Sequence, residues 1–279
     1  MRYAEVIGDP IAQSKSPQLH GYWLRQLGIA ADYRALRVSG HGLASYLETR
    51  RKDADWLGCN ATIPHKESIA LLVDALAPEA AAVGAVNCVA RDGDRLVGYN
   101  SDVDGIHAAI GHVPVEGRDV AVIGAGGAAR AMLAYLNDRA PGSVTVLARD
   151  SAKAERLRST ARGLDLHHVP ILAAEHVLAS AALIVNASPL GMTGSPTMPA
   201  ELLLAIEANA IGSTLFDMVY QPLETDFLRA GSAGGSETID GLTMLIGQAR
   251  RAFSLFFGRE APQDDDAVRA LLTATPVPA

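Results

Sequence analysis

The stretch Asp119-Val120-Ala121-Val122-Ile123-Gly124-Ala125-Gly126-Gly127-Ala128-Ala129-Arg130 decides the fold of this 279-residue chain. A short apolar run predicts a strand, and an alanine-rich segment after the glycines predicts a helix to about residue 139. Gly124, Gly126 and Ala129 match the pattern G-x-G-x-x-G/A between these two elements. In this pattern the first glycine permits a tight turn, the second admits a pyrophosphate, and the small third residue lets helix and strand pack. The stretch therefore predicts a dinucleotide site, the alternative being a tight turn without a ligand.

Apolar strands recur on the C-terminal side of this stretch. Residues 144–148, 183–186 and 214–218 are short, nearly continuous apolar runs separated by predicted helices. Strands of this kind are typical of a parallel sheet that is covered by helices on both faces. The sequence predicts a Rossmann-like, doubly wound domain over residues 104–239.

The first hundred residues also alternate between strand and helix patterns, which predicts an N-terminal α/β substrate domain. Ser16-Pro17 predicts a helix with Ser16 as its N-cap. The run 56–62 predicts a strand, and Pro64 is expected to begin the helix that follows. An amphipathic helix over 241–257 is expected to return to this domain, with a short helix after Pro262. We therefore expect a substrate domain of residues 1–103 and 240–279, with the active site in a cleft between the domains.

Composition excludes several classes of function. The net charge is −7, from 24 basic and 31 acidic residues, and no basic cluster offsets it, so we expect no nucleic-acid partner. No apolar run reaches the roughly 18 residues needed to span a bilayer, so no membrane partner is expected. The two cysteines, Cys59 and Cys88, lack metal-ligand spacing and fit a reducing cytoplasm. A metal site is therefore not expected.

The residues at the end of the second strand of the nucleotide domain should determine whether NADP or NAD binds. An arginine there suits the 2′-phosphate of NADP, whereas an acidic residue suits the ribose hydroxyl of NAD. Arg149 and Lys153 favour NADP, because two cations at a helix start could clamp a phosphate. Asp150 favours NAD if its side chain faces the ribose, but it could equally cap the helix.

Lys66 and Asp102 lie in two polar segments, 60–66 and 98–102. We expect Lys66 in the first turn of a helix, where the positive end of the helix dipole disfavours a cation and favours loss of a proton. Asp102 could bind the same substrate hydroxyl and orient the amine. The neighbouring amides and hydroxyl suit a polyhydroxylated ligand; they belong to Asn60, Thr62, Asn87 and Asn100. Ser14 and Ser16 fit either a turn with a helix cap or a carboxylate site.

Taken in order, these motifs resemble those of the shikimate dehydrogenase family over nearly the whole chain. The segments that carry the resemblance are Gly8 to Pro17, Asn60 to Lys66, Gly84 to Cys88, Gly98 to Asp102, Gly124 to Ala128, Asn186 to Met192, Asp217 to Pro222, and Asp240 to Leu245 leading to Gln248. This chain departs from the family motifs at five positions. Gln13 replaces a histidine before Ser14, Ala61 replaces a valine, Cys88 replaces a threonine beside Asn87, Ser101 replaces a threonine before Asp102, and Ala148 stands where an asparagine often precedes the arginine.

The resemblance implies NADP-linked, reversible reduction of 3-dehydroshikimate to shikimate on the route to chorismate and the aromatic amino acids. It implies that Lys66 acts as acid/base with Asp102, and that Ser14, Ser16 and Tyr220 bind the substrate carboxylate. The remaining implied substrate residues, which hold ring hydroxyls together with Lys66 and Asp102, are Asn60, Thr62, Asn87 and Gln248. The implied cofactor residues are Gly124, Ala125, Gly126, Gly127, Ala128, Ala148, Arg149, Asp150, Lys153, Asn186, Ala187, Ser188, Met218 and Gly241.

Two rival functions remain open from the sequence. The first is an NAD-dependent quinate/shikimate dehydrogenase, which differs in one ring hydroxyl and one double bond of the substrate. The second is a non-catalytic dinucleotide-binding regulator, which leaves the polar segments unexplained. The expected assembly is a monomer or a homodimer.

Overall fold

The computed structural model describes residues 1–274 and divides the chain into two compact units. Unit 1 is formed by Met1–Ser101 and Gln248–Ala279, of which the last five residues lie outside the described part. Unit 2 is formed by Asp102–Gly247. The predicted boundary after residue 103 lies two residues beyond the observed one after Ser101. The predicted end at residue 279 lies outside the described residues.

Unit 1 contains a mixed six-stranded sheet flanked by helices. Its strands are β1 (Tyr3–Gly8), β2 (Asp32–Arg37), β3 (Trp56–Ala61), β4 (Ala75–Leu76), β5 (Cys88–Asp92) and β6 (Arg95–Tyr99). Its helices in this part of the chain are α1 (Ser16–Gln26), α2 (Leu43–Arg51), α3 (Lys66–Ile69) and α4 (Pro78–Val83). The strand order is β2-β1-β3-β5-β6-β4, and β5 runs antiparallel to both of its neighbours. Trp56 and Leu96 are fully buried within its core.

Unit 2 contains a parallel six-stranded sheet. Its helices are α5 (Asp102–Ile110), α6 (Gly127–Leu136), α7 (Ser151–Arg156), α8 (Glu175–Ser180), α9 (Ala200–Asn209) and α10 (Asp226–Ala233). Its strands are β7 (Val120–Ile123), β8 (Val144–Leu147), β9 (Leu166–Val169), β10 (Leu183–Asn186), β11 (Thr214–Asp217) and β12 (Glu237–Ile239). The order β9-β8-β7-β10-β11-β12 is that of the doubly wound dinucleotide fold, as predicted.

Two helices complete the chain, α11 (Gly241–Phe257) and α12 (Asp265–Thr273). The predicted bounds of α11 and the predicted short helix after Pro262 are both confirmed. The second division between the units, at residues 247 and 248, falls inside α11. The predicted boundary lies between residues 239 and 240, at the junction of a strand and a helix, because such junctions are visible in a sequence. A boundary inside a continuous helix leaves no mark in the sequence pattern.

Local differences concern the starts of two helices and the ends of other elements, as in α6, which ends at Leu136 and not at about residue 139. Helix α1 begins at Ser16 with Lys15 as its N-cap, so Ser16 is the first helical residue and not the predicted cap. Helix α3 begins at Lys66, because Pro64 lies in the turn that follows β3. Within residues 1–274, no helix combines the length and the apolar character that a membrane span requires.

Candidate functional site

The candidate cofactor residues of unit 2 follow the strand ends in the order of the sheet. Because all six strands are parallel, their carboxyl ends lie along one edge. Ala148 follows β8, Gly124 follows β7, Ala187 follows β10 and Met218 follows β11. Gly241 follows β12, the last strand in the sheet order, by two residues. The chain changes direction between β7 and β10, the place where doubly wound sheets bind ligands.

The glycine turn has the geometry that a close-approaching anion requires. Gly124 has φ +110°, and a Cβ there would lie 3.0 Å from the Ala187 carbonyl oxygen and 3.0 Å from the Ser188 Cβ. Gly126 precedes α6, and a Cβ built on it meets nothing within 4 Å. Ala129 is fully buried, as expected of the small third residue. The turn therefore presents open backbone at the start of a ten-residue helix, where N–H groups can receive a pyrophosphate.

Asp150 is occupied by the backbone of helix α7. Its Oδ1 accepts a hydrogen bond from the Lys153 N–H at 3.0 Å, which makes it the N-cap. That hydrogen bond, with the nearby Lys153 charge, lowers the pKa of the Asp150 carboxyl. Arg149 and Lys153 are exposed beside it. Of the two roles that the sequence left open for Asp150, the geometry is that of the helix cap.

Asn186 and Asp217 connect two loops at the strand ends. Asp217 Oδ1 accepts from Asn186 Nδ2 and from the Val219 N–H, both at 2.9 Å, and its Oδ2 accepts from Thr225 Oγ1 at 2.6 Å. Asn186 Oδ1 in turn accepts from Ser188 Oγ at 2.7 Å. Burial raises the pKa of Asp217 to about 6, although its three hydrogen bonds oppose the shift. Asp217 lies in a segment that carries the family resemblance, but its sequence pattern predicts no role for it.

Gly241 is packed against the backbone of the loop that contains Met218. A Cβ at this position would lie 2.7 Å from the carbonyl oxygens of both Met218 and Val219. A side chain at 241 would therefore displace this loop. The half-buried Met218 and the buried Gly241 are thus neighbours, as the shared cofactor assignment requires.

Asn87 is the centre of the polar cluster in unit 1. Its Oδ1 accepts from the Ser101 N–H at 2.8 Å, and its Nδ2 lies 3.2 Å from Ser101 Oγ and 3.4 Å from Gln248 Oε1. Its main-chain oxygen accepts from Asn60 Nδ2 at 3.2 Å. The structure thus joins three predicted substrate residues through direct hydrogen bonds. Ser101 supplies the hydroxyl of this cluster, at the position where the family motif has a threonine.

Asn60 has a second partner that the sequence did not reveal. The Tyr33 hydroxyl donates to Asn60 Oδ1 at 2.7 Å. Tyr33 is 4% exposed and stacks on the buried His20, with ring centroids 4.0 Å apart and planes 4° apart. Desolvation lowers the pKa of His20 to about 3, so this imidazole is neutral at ordinary pH. The sequence gives little indication of this contact, because Tyr33 and Asn60 are 27 residues apart.

The remaining candidates of unit 1 lie in the segments that follow β1 and β3 and at the starts of α1 and α3. Thr62 follows β3, and a Cβ on Gly8 would lie 2.5 Å from its methyl carbon. Lys66 lies in the first turn of α3, as predicted, and its carbonyl accepts from the Val86 N–H at 2.8 Å. Ser14 Oγ accepts from the Ser16 N–H at 3.3 Å, and both serines are half-buried.

Two predicted substrate residues belong to unit 2. Asp102 is the first residue of α5 and is 1% exposed. Tyr220 is half-buried in the loop after β11. The proposed acid/base pair is therefore divided, since Lys66 belongs to unit 1 and Asp102 to unit 2.

Both cysteines are buried in the sheet of unit 1 and are free thiols. Burial raises the pKa of Cys59 to about 12 and that of Cys88 well above its ordinary value. Cys88 is fully buried in β5, so the residue that replaces threonine is packed in the core. Among residues 1–274, no group of three His, Cys, Asp or Glu side chains could hold a metal ion.

Comparison with known proteins gives the same family for three segments of the chain. The family model described as "Shikimate dehydrogenase substrate binding domain" matches residues 6–89, and "Shikimate / quinate 5-dehydrogenase" matches 108–194. "Shikimate 5'-dehydrogenase C-terminal domain" matches residues 241–272. The matches thus fall on both units.

Curated and solved relatives cover nearly the full length. Shikimate dehydrogenase (NADP(+)) of Sphingopyxis alaskensis is 45% identical over 98% of this chain and 97% of its own. The shikimate 5-dehydrogenase of Thermus thermophilus, solved with NADP(H) and shikimate, is 34% identical with a TM-score of 0.82, covering 97% of this chain and 100% of its own. That of Listeria monocytogenes, solved with shikimate and NAD, is 25% identical with a TM-score of 0.83, covering 98% of this chain and 96% of its own. This chain therefore belongs to the shikimate dehydrogenase family of oxidoreductases.

Proposed function

We propose that the protein reversibly reduces 3-dehydroshikimate to shikimate with NADPH, in the synthesis of chorismate and the aromatic amino acids. The observation that carries this proposal is the order of candidates along the carboxyl edge of the unit 2 sheet. An extended dinucleotide lying along this edge would meet, in order, Arg149, the glycine turn, Ser188 and Met218. The names of the full-length relatives support the same activity.

The residues at this edge fit a dinucleotide. The open backbone at Gly126 leaves room for a pyrophosphate, and the start of α6 supplies N–H groups to it. The loops at Ala187 and Met218 would then flank the nicotinamide. Bound NADPH would supply the hydride for reduction of the ketone, and the protein would supply position and proton.

The geometry at β8 favours NADP over NAD. Asp150 accepts the Lys153 N–H as a helix cap, which supports a role for it in the helix and not at the ribose. The exposed cations Arg149 and Lys153 are suited to a 2′-phosphate through charge-assisted hydrogen bonds. NAD remains the alternative to be measured, because the Listeria relative was solved with it.

Lys66 would carry the proton. As acid it would donate to the ketone oxygen during reduction, and as base it would accept the proton from the hydroxyl of shikimate during oxidation. Asp102 would accept a hydrogen bond from the same hydroxyl and hold the amine in place. Ser14, Ser16 and Tyr220 would bind the carboxylate of the substrate.

The ring hydroxyls would be held by the amides and hydroxyls of the cluster around Asn87. That cluster supplies neutral donors and acceptors whose orientations are fixed by hydrogen bonds inside the protein. The members of the cluster in this role are Asn60, Asn87 and Gln248, and Thr62, Lys66 and Asp102 would hold ring hydroxyls together with them.

Initial rates for shikimate and quinate, each with NADP and NAD, test this function. We expect kcat/KM for shikimate with NADP to exceed each other combination by at least tenfold. Comparable rates with quinate or NAD would instead indicate a quinate/shikimate dehydrogenase. Dinucleotide binding without turnover of either acid would favour the regulator.

We also propose that the protein acts in the cytoplasm as a monomer or homodimer. Two buried free thiols support a reducing compartment. Light scattering on purified protein would measure the assembly, and cell fractionation would measure the location. A larger assembly or recovery outside the cytoplasm would contradict these two points.

A further inference from the structure

Tyr33 is a buried tyrosine whose hydroxyl is directed at a proposed substrate residue. It lies in β2, where its ring stacks on His20, and His20 packs edge-on against Trp23 with ring centroids 5.8 Å apart. These aromatic contacts fix the ring. Its hydroxyl donates to Asn60 Oδ1 at 2.7 Å, a short and well-formed hydrogen bond.

The orientation of the Asn60 amide follows from its two protein partners. The main-chain oxygen of Asn87 can only accept, so the nitrogen of Asn60 must face it. The oxygen of Asn60 then faces Tyr33, whose hydroxyl must donate. One N–H of Asn60 is used by Asn87, and the second N–H is the remaining donor of this half-buried amide.

The hydrogen bond from Tyr33 therefore helps to fix the direction in which Asn60 presents its second N–H. With Tyr33 bound to its oxygen and Asn87 bound to its nitrogen, the amide is held at both ends, and its second N–H is held as a donor towards an acceptor oxygen. Without the bond from Tyr33, the amide is held by Asn87 alone, and the direction of the second N–H is less constrained. A donor of fixed direction favours a substrate whose hydroxyl lies in that direction. A substrate whose hydroxyl lies elsewhere leaves the N–H of Asn60 unpaired, which weakens its binding.

We propose that Tyr33 is a positioning residue that fixes Asn60 as a hydrogen-bond donor to one ring hydroxyl of the substrate. This inference rests on the proposed function and deepens it, since it assigns the specificity for that hydroxyl to a pair of residues. Tyr33 acts only through Asn60 and touches neither the cofactor residues nor Lys66 in this account.

Tyr33→Phe tests the inference, because it removes the hydroxyl and keeps the ring that stacks on His20. We expect KM for shikimate to rise about three- to tenfold, the worth of one hydrogen bond. We expect kcat and KM for NADP to change less than twofold, because the amide contributes to binding of the substrate and not to hydride or proton transfer.

Tyr46→Phe is the matched control. Tyr46 is a second buried tyrosine of unit 1, and its hydroxyl donates to Glu5 Oε2 at 2.8 Å. This variant removes an equally buried hydroxyl that has no link to Asn60. We expect it to lower the melting temperature while KM for shikimate stays within 1.5-fold of wild type.

Analogues of shikimate that each lack one ring hydroxyl complete the test. Tyr33→Phe should raise KM for every analogue except the one that lacks the hydroxyl bound by Asn60. An equal rise for all analogues, a rise below 1.5-fold, or an equal rise in Tyr46→Phe would overturn the inference while leaving the function intact. A wild-type protein that does not oxidise shikimate would overturn both.

Discussion

Unit 2 and unit 1 present their candidate residues in different chemical forms. In unit 2 most of the cofactor candidates are glycines and alanines, and the geometry concerns the space around their backbone, as at Gly124, Gly126 and Gly241. In unit 1 most are amides and hydroxyls, whose orientation depends on partners such as Tyr33 and Ser101. A dinucleotide phosphate can be recognised by backbone N–H groups, whereas a ring with several hydroxyls requires directed side chains. The two sites should therefore fail in different ways when mutated.

The largest expected effect is on the chemistry assigned to unit 1. Lys66→Ala should lower kcat by roughly 10²–10⁴-fold, the usual contribution of a general acid–base group. KM for NADP should stay within threefold, because unit 2 is unchanged. Steady-state rates and a thermal melt measure both, with the exposed Lys52→Ala as the control. A fall in kcat of less than threefold would remove Lys66 from the mechanism.

Arg149 should show the strongest side-chain effect in unit 2. Arg149→Ala removes the proposed partner of the 2′-phosphate, so the ratio of kcat/KM with NADP to that with NAD should fall about 10–100-fold. Asp150→Ala is the control, because it removes the cap of α7 and should lower the melting temperature without raising that ratio. A higher ratio in Asp150→Ala would mean that this carboxylate faces the ribose.

Gly126→Ala tests the importance of open backbone. The added methyl meets nothing within 4 Å, so the melting temperature should not change. It would occupy the space of the pyrophosphate, so KM for NADP should rise on the order of tenfold, or about 1.4 kcal/mol. Gly40→Ala adds a methyl in equally open space in unit 1 and should change neither quantity. An unchanged KM in Gly126→Ala would place the pyrophosphate elsewhere.

An effect on stability, and not on activity, distinguishes the two units by pH. Burial lowers the pKa of His20 to about 3, so the unfolded state binds the proton first and unit 1 loses stability as the pH falls below about 6.5. Burial raises the pKa of Asp217 to about 6, so unit 2 gains stability as the pH falls from about 6 towards 4. From pH 7.5 to pH 5 these changes are about −2 and about +1 kcal/mol.

Tryptophan fluorescence can isolate the first of these changes. Both tryptophans of the chain, Trp23 and Trp56, lie in unit 1. Urea unfolding followed by this signal should therefore show a lower midpoint at pH 5 than at pH 7.5 in wild type. His20→Phe should flatten that dependence, whereas Asp217→Asn should not. An equal response of the tryptophan signal to both variants would contradict independent titration of the two units.

The sequence was sufficient where the determining contacts are local. The strand, glycine turn and helix from Val120 to Leu136 follow from adjacent residues, and the alternation of strands and helices indicates a parallel sheet. The role of Asp150 was left open because a helix cap and a ribose ligand require the same residue at the same place. Only the backbone conformation, with the Lys153 N–H turned to the carboxylate, separates them.

The sequence was insufficient where partners are distant along the chain. The hydrogen bond of Tyr33 to Asn60 spans 27 residues, and that of Asn186 to Asp217 spans 31. Neither pair has a spacing rule, because strand order and register bring the residues together. The predicted start of α3 was wrong because of a local ambiguity. A proline suits both the first position of a helix and the turn before it, so the sequence around Pro64 does not distinguish the two.

Hydrogen–deuterium exchange with each ligand alone tests the division of labour between the units most directly. NADP should slow exchange in peptides that cover residues 124–130, 187–191 and 218–222 of unit 2. Shikimate should slow exchange in peptides that cover residues 14–16, 60–66 and 87–88 of unit 1. Protection of the glycine turn by shikimate alone, or of the Asn87 region by NADP alone, would contradict the account.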